Sequence, residues 1–426
     1  MIEMLQDKGG FLGHRLQKGL NLFSFLLAFP AVDILGNSLY FYIFIWILIK
    51  TKKITGKNFI KSRFGLNLLF LGIFGLFSTI FHPISDELAP SFVEIAVTLL
   101  RNFYWFAIGA YFFSWKRKIN IYKLAKWITM GYFLQALFFY FPSFKLNTFV
   151  ITINTEFERN AFIFNSIIFS GFVFLYFYKK FGQKSFYLVG LIIMANLFFT
   201  NGRAGAAIAI ILFLFNYALI NTGVRTLGKA SIFLVILLNL FNYNLNNAVN
   251  SLGDRIAPLV EGANPRFAEL LRGEGQGDLT FDKSWLHREL MLDKTMEIIR
   301  YHTFLGVGFG NFSKYNAQIE SLDTEKYSRL RHRTRERYNR RSAHNSYANH
   351  LAETGLIGFL LLLLLILPIV FRFIKIFWLG TFSNYGLEIV IVIGLFGALI
   401  HGYSISAFSG ANIWFVLGIC RNIINK

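Results

Sequence analysis

Arg340–Phe359 reads RRSAHNSYANHLAETGLIGF, and Leu360–Phe371 continues it as LLLLLLILPIVF. A basic, polar approach gives way here to an unbroken apolar run. At the seam stand His344 and Asn345, then nine residues, Gly355, two residues and Gly358. Upstream lies the longest polar segment of the chain, 244–345. A histidine at the mouth of a membrane-grade helix points to chemistry at a lipid surface.

The totals agree with a membrane setting. The 426 residues are 55% hydrophobic, with 51 Phe and a positive mean hydropathy, which places the chain with integral membrane proteins. A net charge of +20 fits such a chain when the basic residues lie in loops, facing anionic headgroups or an anionic substrate. The single cysteine, Cys420, lies inside the last apolar run, which argues against a disulfide framework, a cysteine metal site or a cysteine nucleophile. Lys8, Arg15 and Lys18 precede the first long apolar stretch with no small-residue cleavage site after it, so an uncleaved first helix is expected.

A spanning helix needs about 20 mostly apolar residues. Twelve spans satisfy this: two sharing 17–50 around a break at Pro30–Gly36, then 64–81, 91–113, 122–142, 160–178, 184–200, 203–220, 230–243, 346–371, 386–403 and 406–423. With the N-terminus inside, the even loops carry Lys52, Lys53, Lys57, Lys61 and Arg63, then Lys116, Arg117 and Lys118, Lys179 and Lys180, Arg225 and Lys229, and Arg372 and Lys375. The odd short loops carry Asp86 and Glu87 or almost nothing. Basic loops belong on the cytoplasmic side, so both termini are expected inside and 244–345 outside. The expected fold is all-α and polytopic: helices 1–9 in 1–243, a mainly helical outer loop in 244–345, and helices 10–12 in 346–426.

The outer loop contains a glycine-rich patch, Arg272–Asp278, and two amphipathic pieces. Ser284–Arg300 aligns Trp285, Arg288, Leu292, Met296 and Ile299 on one apolar stripe, which sets Arg288 off the solvated face, and the turn GVGFGNF, Gly306–Phe312, follows it. Lys326–Arg341 holds seven arginines in sixteen residues. That run reads either as a solvated face or as a collecting surface for anions. Arg340 and Arg341 stand nearest His344.

If a helix starts near Ala343, then His344, Ala348, Ala352 and Gly355 share a face. Such a small-residue stripe lets a helix or a substrate chain approach closely. His350 points elsewhere. His344 itself reads either as a capping histidine beside a packing motif or as a reactive group.

The spacing His-Asn, nine residues, Gly, two residues, Gly is similar to the signature of bacterial O-antigen ligases, shared more loosely with O-antigen polymerases and O-linked oligosaccharyltransferases. The topology resembles that family too, as does HREL…MEIIRYHTFLGVGFGNF (His287–Phe312), an Arg-led helix followed by a Gly-x-Gly turn. The resemblance implies an inverting glycosyltransferase without metal or other cofactor. Its donor would be a glycan on undecaprenyl diphosphate and its acceptor a sugar hydroxyl of lipid A–core, at the periplasmic face of the bacterial inner membrane.

Such a displacement needs a base for the hydroxyl proton and cations for the departing diphosphate. On that footing His344 is the base, and Asn345 orients it or the substrate. Arg203, in NGRAG among small neighbours, and Arg288 hold phosphate; a snorkelling anchor and a structural ion pair are their plainer readings. Arg340, Arg341, Gly355 and Gly358 are further candidate substrate contacts. So is Arg101, which shares a face with Glu94 and reads equally as half of a structural pair. The carboxylates Asp254, Glu274, Asp278 and Asp282 match no metal-ligand spacing. Membrane lipids are expected partners and nucleic acid is not. An O-antigen or exopolysaccharide polymerase is the alternative enzyme. A flippase should show repeated halves and broken midplane helices, which this sequence lacks.

Overall fold

The computed structural model describes residues 2–34, 37–59, 62–81, 107–113, 120–141, 145–147, 151–155, 158–182, 256–262, 283–315, 343, 345–380, 386–403 and 410–424, with further single positions between 190 and 216 and at 265 and 268. Helix dominates. The main helices are α1 (Ile2–Ala28), α2 (Leu39–Phe59), α3 (Arg63–Phe81), α4 (Ile121–Tyr140), α5 (Arg159–Phe181), α6 (Lys283–Tyr301), α7 (Ser346–Leu379), α8 (Ile389–His401) and α9 (Ala411–Ile424). The break expected at Pro30–Gly36 is real: α1 ends at Ala28 and α2 begins at Leu39. The expected span 230–243 lies outside the described residues, and so does Glu94–Arg101.

A small sheet departs from the all-α expectation. Strands β1 (Val32–Ile34), β2 (Asn37–Ser38), β3 (Lys145–Asn147) and β4 (Ile151–Asn154) pair antiparallel in the order β2-β1-β4-β3. Val32 faces Ile153 and Ile34 faces Ile151 across the central ladder, and β-branched residues favour such pairs. These strands are too short to register as a periodic signal in the sequence. Their pairing puts the α1–α2 and α4–α5 connections on one side of the bundle, as alternating spans require.

The helices pack through aromatic contacts and close approach at glycines. Phe112 stacks on Phe23 at 5.7 Å and meets Phe415 edge-on at 4.5 Å, while Phe172 stacks on Phe415 at 5.9 Å. The large Phe content thus becomes an interlocked core joining α1, α5, α9 and the helical stretch 107–113. Gly171 of α5 lies against the Val390 carbonyl of α8, where a Cβ would collide. Such contacts hold membrane helices together where apolar burial gives no advantage over lipid. Buried amides add polar links: Asn165 donates to Gln135 at 3.2 Å and accepts from Asn412 at 2.6 Å, joining α4, α5 and α9.

Helix α7 shows the lipid-facing pattern most clearly. Leu356, Leu360, Leu364, Leu367, Phe371, Ile374 and Trp378 form an exposed row at steps of three and four, while Leu362, Leu365, Ile366, Ile369, Phe373 and Ile376 are buried on the other side. A helix apolar on both faces needs apolar solvent on one of them. Among the described residues three helices, including this one, are long and apolar enough to cross a bilayer, and the protein is a membrane protein.

The same helix is broken. Gly355 has φ 62° and ψ −169°, a region reserved almost entirely for glycine. The break removes the helical partners of four backbone groups: the carbonyls of Ala352 and Glu353 and the N–H groups of Leu356 and Ile357. The segment after α6 replaces all four. Val307 N–H donates to Ala352 (3.0 Å) and Gly308 N–H to Glu353 (2.8 Å), while Leu356 and Ile357 donate to Thr303 (2.8 Å) and Phe304 (3.4 Å). From α3, the Ser78 hydroxyl donates to the carbonyls of Leu305 and Glu353, and Thr79 Oγ1 accepts from Phe309 N–H at 3.0 Å. Unsatisfied backbone is too costly to leave in a membrane, so the break and the turn require each other.

Gly306, at φ 68°, abuts the backbone of Ala352 and Glu353, and Gly355 abuts that of Phe304 and Gly306. Gly355→Ala is therefore expected to lose at least about 1–3 kcal/mol to backbone strain, with the collision at Phe304 added. Gly358→Ala meets mainly the Thr354 side chain and is expected to cost less. Thermal unfolding of the purified variants in detergent checks this order; equal stability of Gly355→Ala and wild type would refute it.

Candidate functional site

The N-terminal end of α7 begins at Asn345, which caps it: its side-chain oxygen accepts from Tyr347 N–H (3.0 Å) and Ala348 N–H (3.1 Å). Asn345 thus has a structural task in addition to any contact with substrate. The cap is tied to the end of α8, since Ser346 N–H donates to the Gly402 carbonyl at 2.7 Å and the Tyr347 hydroxyl to that of Leu399 at 2.8 Å. Ala343 is buried beneath the cap, and its N–H reaches the Asn349 side chain at 3.4 Å. His344 lies outside the described residues, although both of its chain neighbours are placed. Arg101, Arg203, Arg340 and Arg341 also lie outside them.

Arg288 is described, and it is exposed on α6. Fifty-six positions of sequence separate Arg288 from His344; α6 packs along the first part of α7, with Leu290, Met291 and Ile298 against Ala348 and Ala352. His350 is buried and packs on Phe309 at 5.4 Å, away from this cap as its helical phase implied.

Two sequence expectations need correction. The stripe Arg288–Leu292–Met296 exists, but it is not the packed face: Arg288 is exposed, and Leu292 and Met296 are 49% and 59% exposed. The buried face carries Leu290, Met291, Lys294, Thr295 and Ile298. The Trp285 side chain is outside the described set. Secondly, Gly355 is not on a continuous helical stripe with Ala348 and Ala352. The two alanines pack against Leu290, Met291, Ile298, Val307 and Phe312, so the small residues admit α6 and its turn. Gly355 and Gly358 have close protein neighbours, the latter Thr354 and Phe74.

The buried cation of α6 is Lys294, which the sequence reading missed. Its position was legible: 290, 294 and 298 follow one another at helical steps of four. It is fully buried, with its ammonium 4.8 Å from the centre of the Phe312 ring. Burial pulls its pKa down from 10.5 to about 7, with Glu297 partly opposing.

A helical membrane protein with a capped, broken helix is the class these features define. Residues 187–363 match the family model described as O-antigen ligase. The match takes in Arg203, Arg288, the stitched break and the His344-Asn345 pair, as the resemblance read from the sequence required. No curated protein matches the chain.

Lys294 gives the site region a testable pH dependence. Below about pH 7 the lysine is protonated folded and unfolded alike, so the cost of burying its charge is carried in full; between about 7 and 10.5 the folded form has lost a proton that the unfolded chain retains, so stability rises with pH. Lys294→Met is expected to raise the melting temperature at pH 7 and to remove this component of the slope. Unfolding followed across that range checks it; an unchanged slope in the variant would contradict it.

Proposed function

We propose that the chain is an O-antigen ligase, transferring glycan from undecaprenyl diphosphate to a sugar hydroxyl of lipid A–core. The observation that carries this reading is the match of residues 187–363 to the O-antigen ligase family model, a segment in which α6, the helix of Arg288, packs on the first turns of α7. The family match supports a glycan-transferring membrane enzyme acting on lipid-linked glycans. The particular donor, acceptor and residue roles are our inference.

In this reading His344 accepts the proton of the acceptor hydroxyl as its oxygen attacks the anomeric carbon. The bond from that carbon to the diphosphate breaks with inversion, and no metal or other cofactor is required. Arg288 and Arg203 hold the charge that builds on the leaving phosphate, a task suited to a permanently charged fork of donors. Arg340 and Arg341 draw the anionic substrates toward the site, and Arg101 is assigned to the same lipid-diphosphate cavity. Asn345 fixes the helix start from which His344 is presented. Gly355 and Gly358 act through the break and its packing, which sets the height of that start.

The accompanying topology is twelve spans in a bacterial inner membrane, with both termini cytoplasmic and 244–345 forming a periplasmic loop domain between helices 1–9 and 10–12. The shared side of the α1–α2 and α4–α5 connections supports the alternation. In a variant lacking Cys420, a cysteine at Leu146, which is 44% exposed, is expected to react in intact spheroplasts with a maleimide that does not cross membranes. Protection until lysis would reverse the orientation.

Function is tested by deleting the gene and complementing with wild type, His344→Ala, Arg288→Ala or Arg203→Ala, then resolving the lipopolysaccharide. Ligase activity predicts that deletion leaves uncapped core and full-length glycan still on its lipid carrier. Each variant is expected to behave like the deletion, with transfer reduced by about 10²-fold or more. Core bearing a single repeat unit would identify a polymerase. Normal capping by His344→Ala would remove the base assignment.

A further inference from the structure

The last turn of α9 carries an arginine to the place where α3 begins. The Arg421 guanidinium lies over the Phe64 ring, 5.7 Å from its centre, and Phe64 follows Arg63, the first residue of α3. The frame beneath this contact is rigid. Phe64 is buried and packs on Phe113 at 4.7 Å. Gly418 abuts the Gly109 carbonyl, where a Cβ would collide, and the Asn422 side chain donates to the Phe112 carbonyl at 2.6 Å. Arg421 is therefore held half-buried on a fixed helix end. Its Nε is nevertheless buried without a hydrogen-bond partner. The ring covers one face of the guanidinium, and its edge donors still call for an acceptor.

A second arginine stands at the same end of the bundle. Arg372 is exposed on α7 beside Phe371 and Ile374, both members of the lipid-facing row. Helix α7 packs against α3 and α9, and the charge of Arg372 acts on Arg421. A cation set in a lipid-facing row is costly unless it meets an anion there. Two such cations side by side raise that cost by their mutual repulsion. We propose that Arg421 and Arg372, beside the start of α3, form a binding site for the phosphate group of an anionic phospholipid. The guanidinium fork of Arg421 matches phosphate oxygens, and the exposed row of α7 gives the acyl chains an apolar track. A soluble phosphate would have no use for that row. Both arginines lie beyond the matched segment 187–363, and the site is independent of the proposed reaction. In the proposed topology it faces the cytoplasmic leaflet, where anionic lipids attract basic groups.

The test counts lipids retained by the full-length protein, using native mass spectrometry in detergent during titration with phosphatidylglycerol or phosphatidylcholine. Wild type is expected to hold a phosphatidylglycerol in preference to phosphatidylcholine. Arg421→Met keeps the stem and removes the unpartnered donor. It is expected to bind this lipid about tenfold or more weakly, while its melting temperature in phosphatidylcholine alone equals or exceeds that of wild type. Arg372→Met, at an exposed position, is expected to weaken binding in the same direction. Lys180→Gln removes a cation from the end of α5 and is expected to leave binding unchanged.

Undiminished phosphatidylglycerol binding by Arg421→Met or Arg372→Met would overturn the proposal. An equal loss in Lys180→Gln would overturn it too, by reducing the effect to net charge. So would displacement of the lipid by inorganic phosphate alone, which would make the occupant a soluble anion. Loss of glycan transfer is not a readout here, so failure of the proposed function would leave this result standing.

Discussion

Four backbone hydrogen bonds across the break in α7 join that helix to the turn that follows α6. Once Gly355 leaves helical geometry, two carbonyls and two N–H groups must find partners away from their own helix. Val307, Gly308, Thr303 and Phe304 supply them, and Ser78 and Thr79 brace the turn from α3. The two glycine-bearing motifs, GVGFG and GLIG, are therefore halves of one structure. Neither explains itself alone: glycine at 306 lets the turn reach the helix, and glycine at 355 lets the helix open to receive it.

Function follows from this join through position. The join holds α6 beside the first turns of α7, with Leu290, Met291 and Ile298 packed on Ala348 and Ala352. The end of α8 arrives at the Asn345 cap, where the Gly402 carbonyl accepts from Ser346 N–H and that of Leu399 from the Tyr347 hydroxyl. The lipid-facing row of α7 begins at Leu356, directly after the break. The segment 346–354 therefore lies outside the long apolar run.

Much of this was legible in the residues. The apolar runs located the helices, the Pro30–Gly36 interruption located the turn between α1 and α2, and the pattern beginning at Ser284 located α6. What failed was the facing of α6. Its Leu292–Met296 stripe looked like the packed side because apolar periodicity carries no sign: in a membrane protein an apolar face serves lipid or protein equally well. The packed face instead carries Lys294, a residue type that composition alone assigns to water. The glycine break was hidden for a similar reason. Gly355 falls on the phase of an unbroken helix, and only the partner turn reveals that the helix does not continue. The short sheet depended on pairing between distant loops, which no local pattern displays.

The most direct measurement is an experimental structure of the full chain in a lipid nanodisc with the undecaprenyl-diphosphate-linked donor bound. The account predicts the diphosphate within hydrogen-bonding reach of Arg288, beside the Asn345 cap, with the anomeric carbon turned toward His344 and its far side open to an acceptor. A donor seated away from this junction, with Arg288 and His344 on separate surfaces, would contradict it.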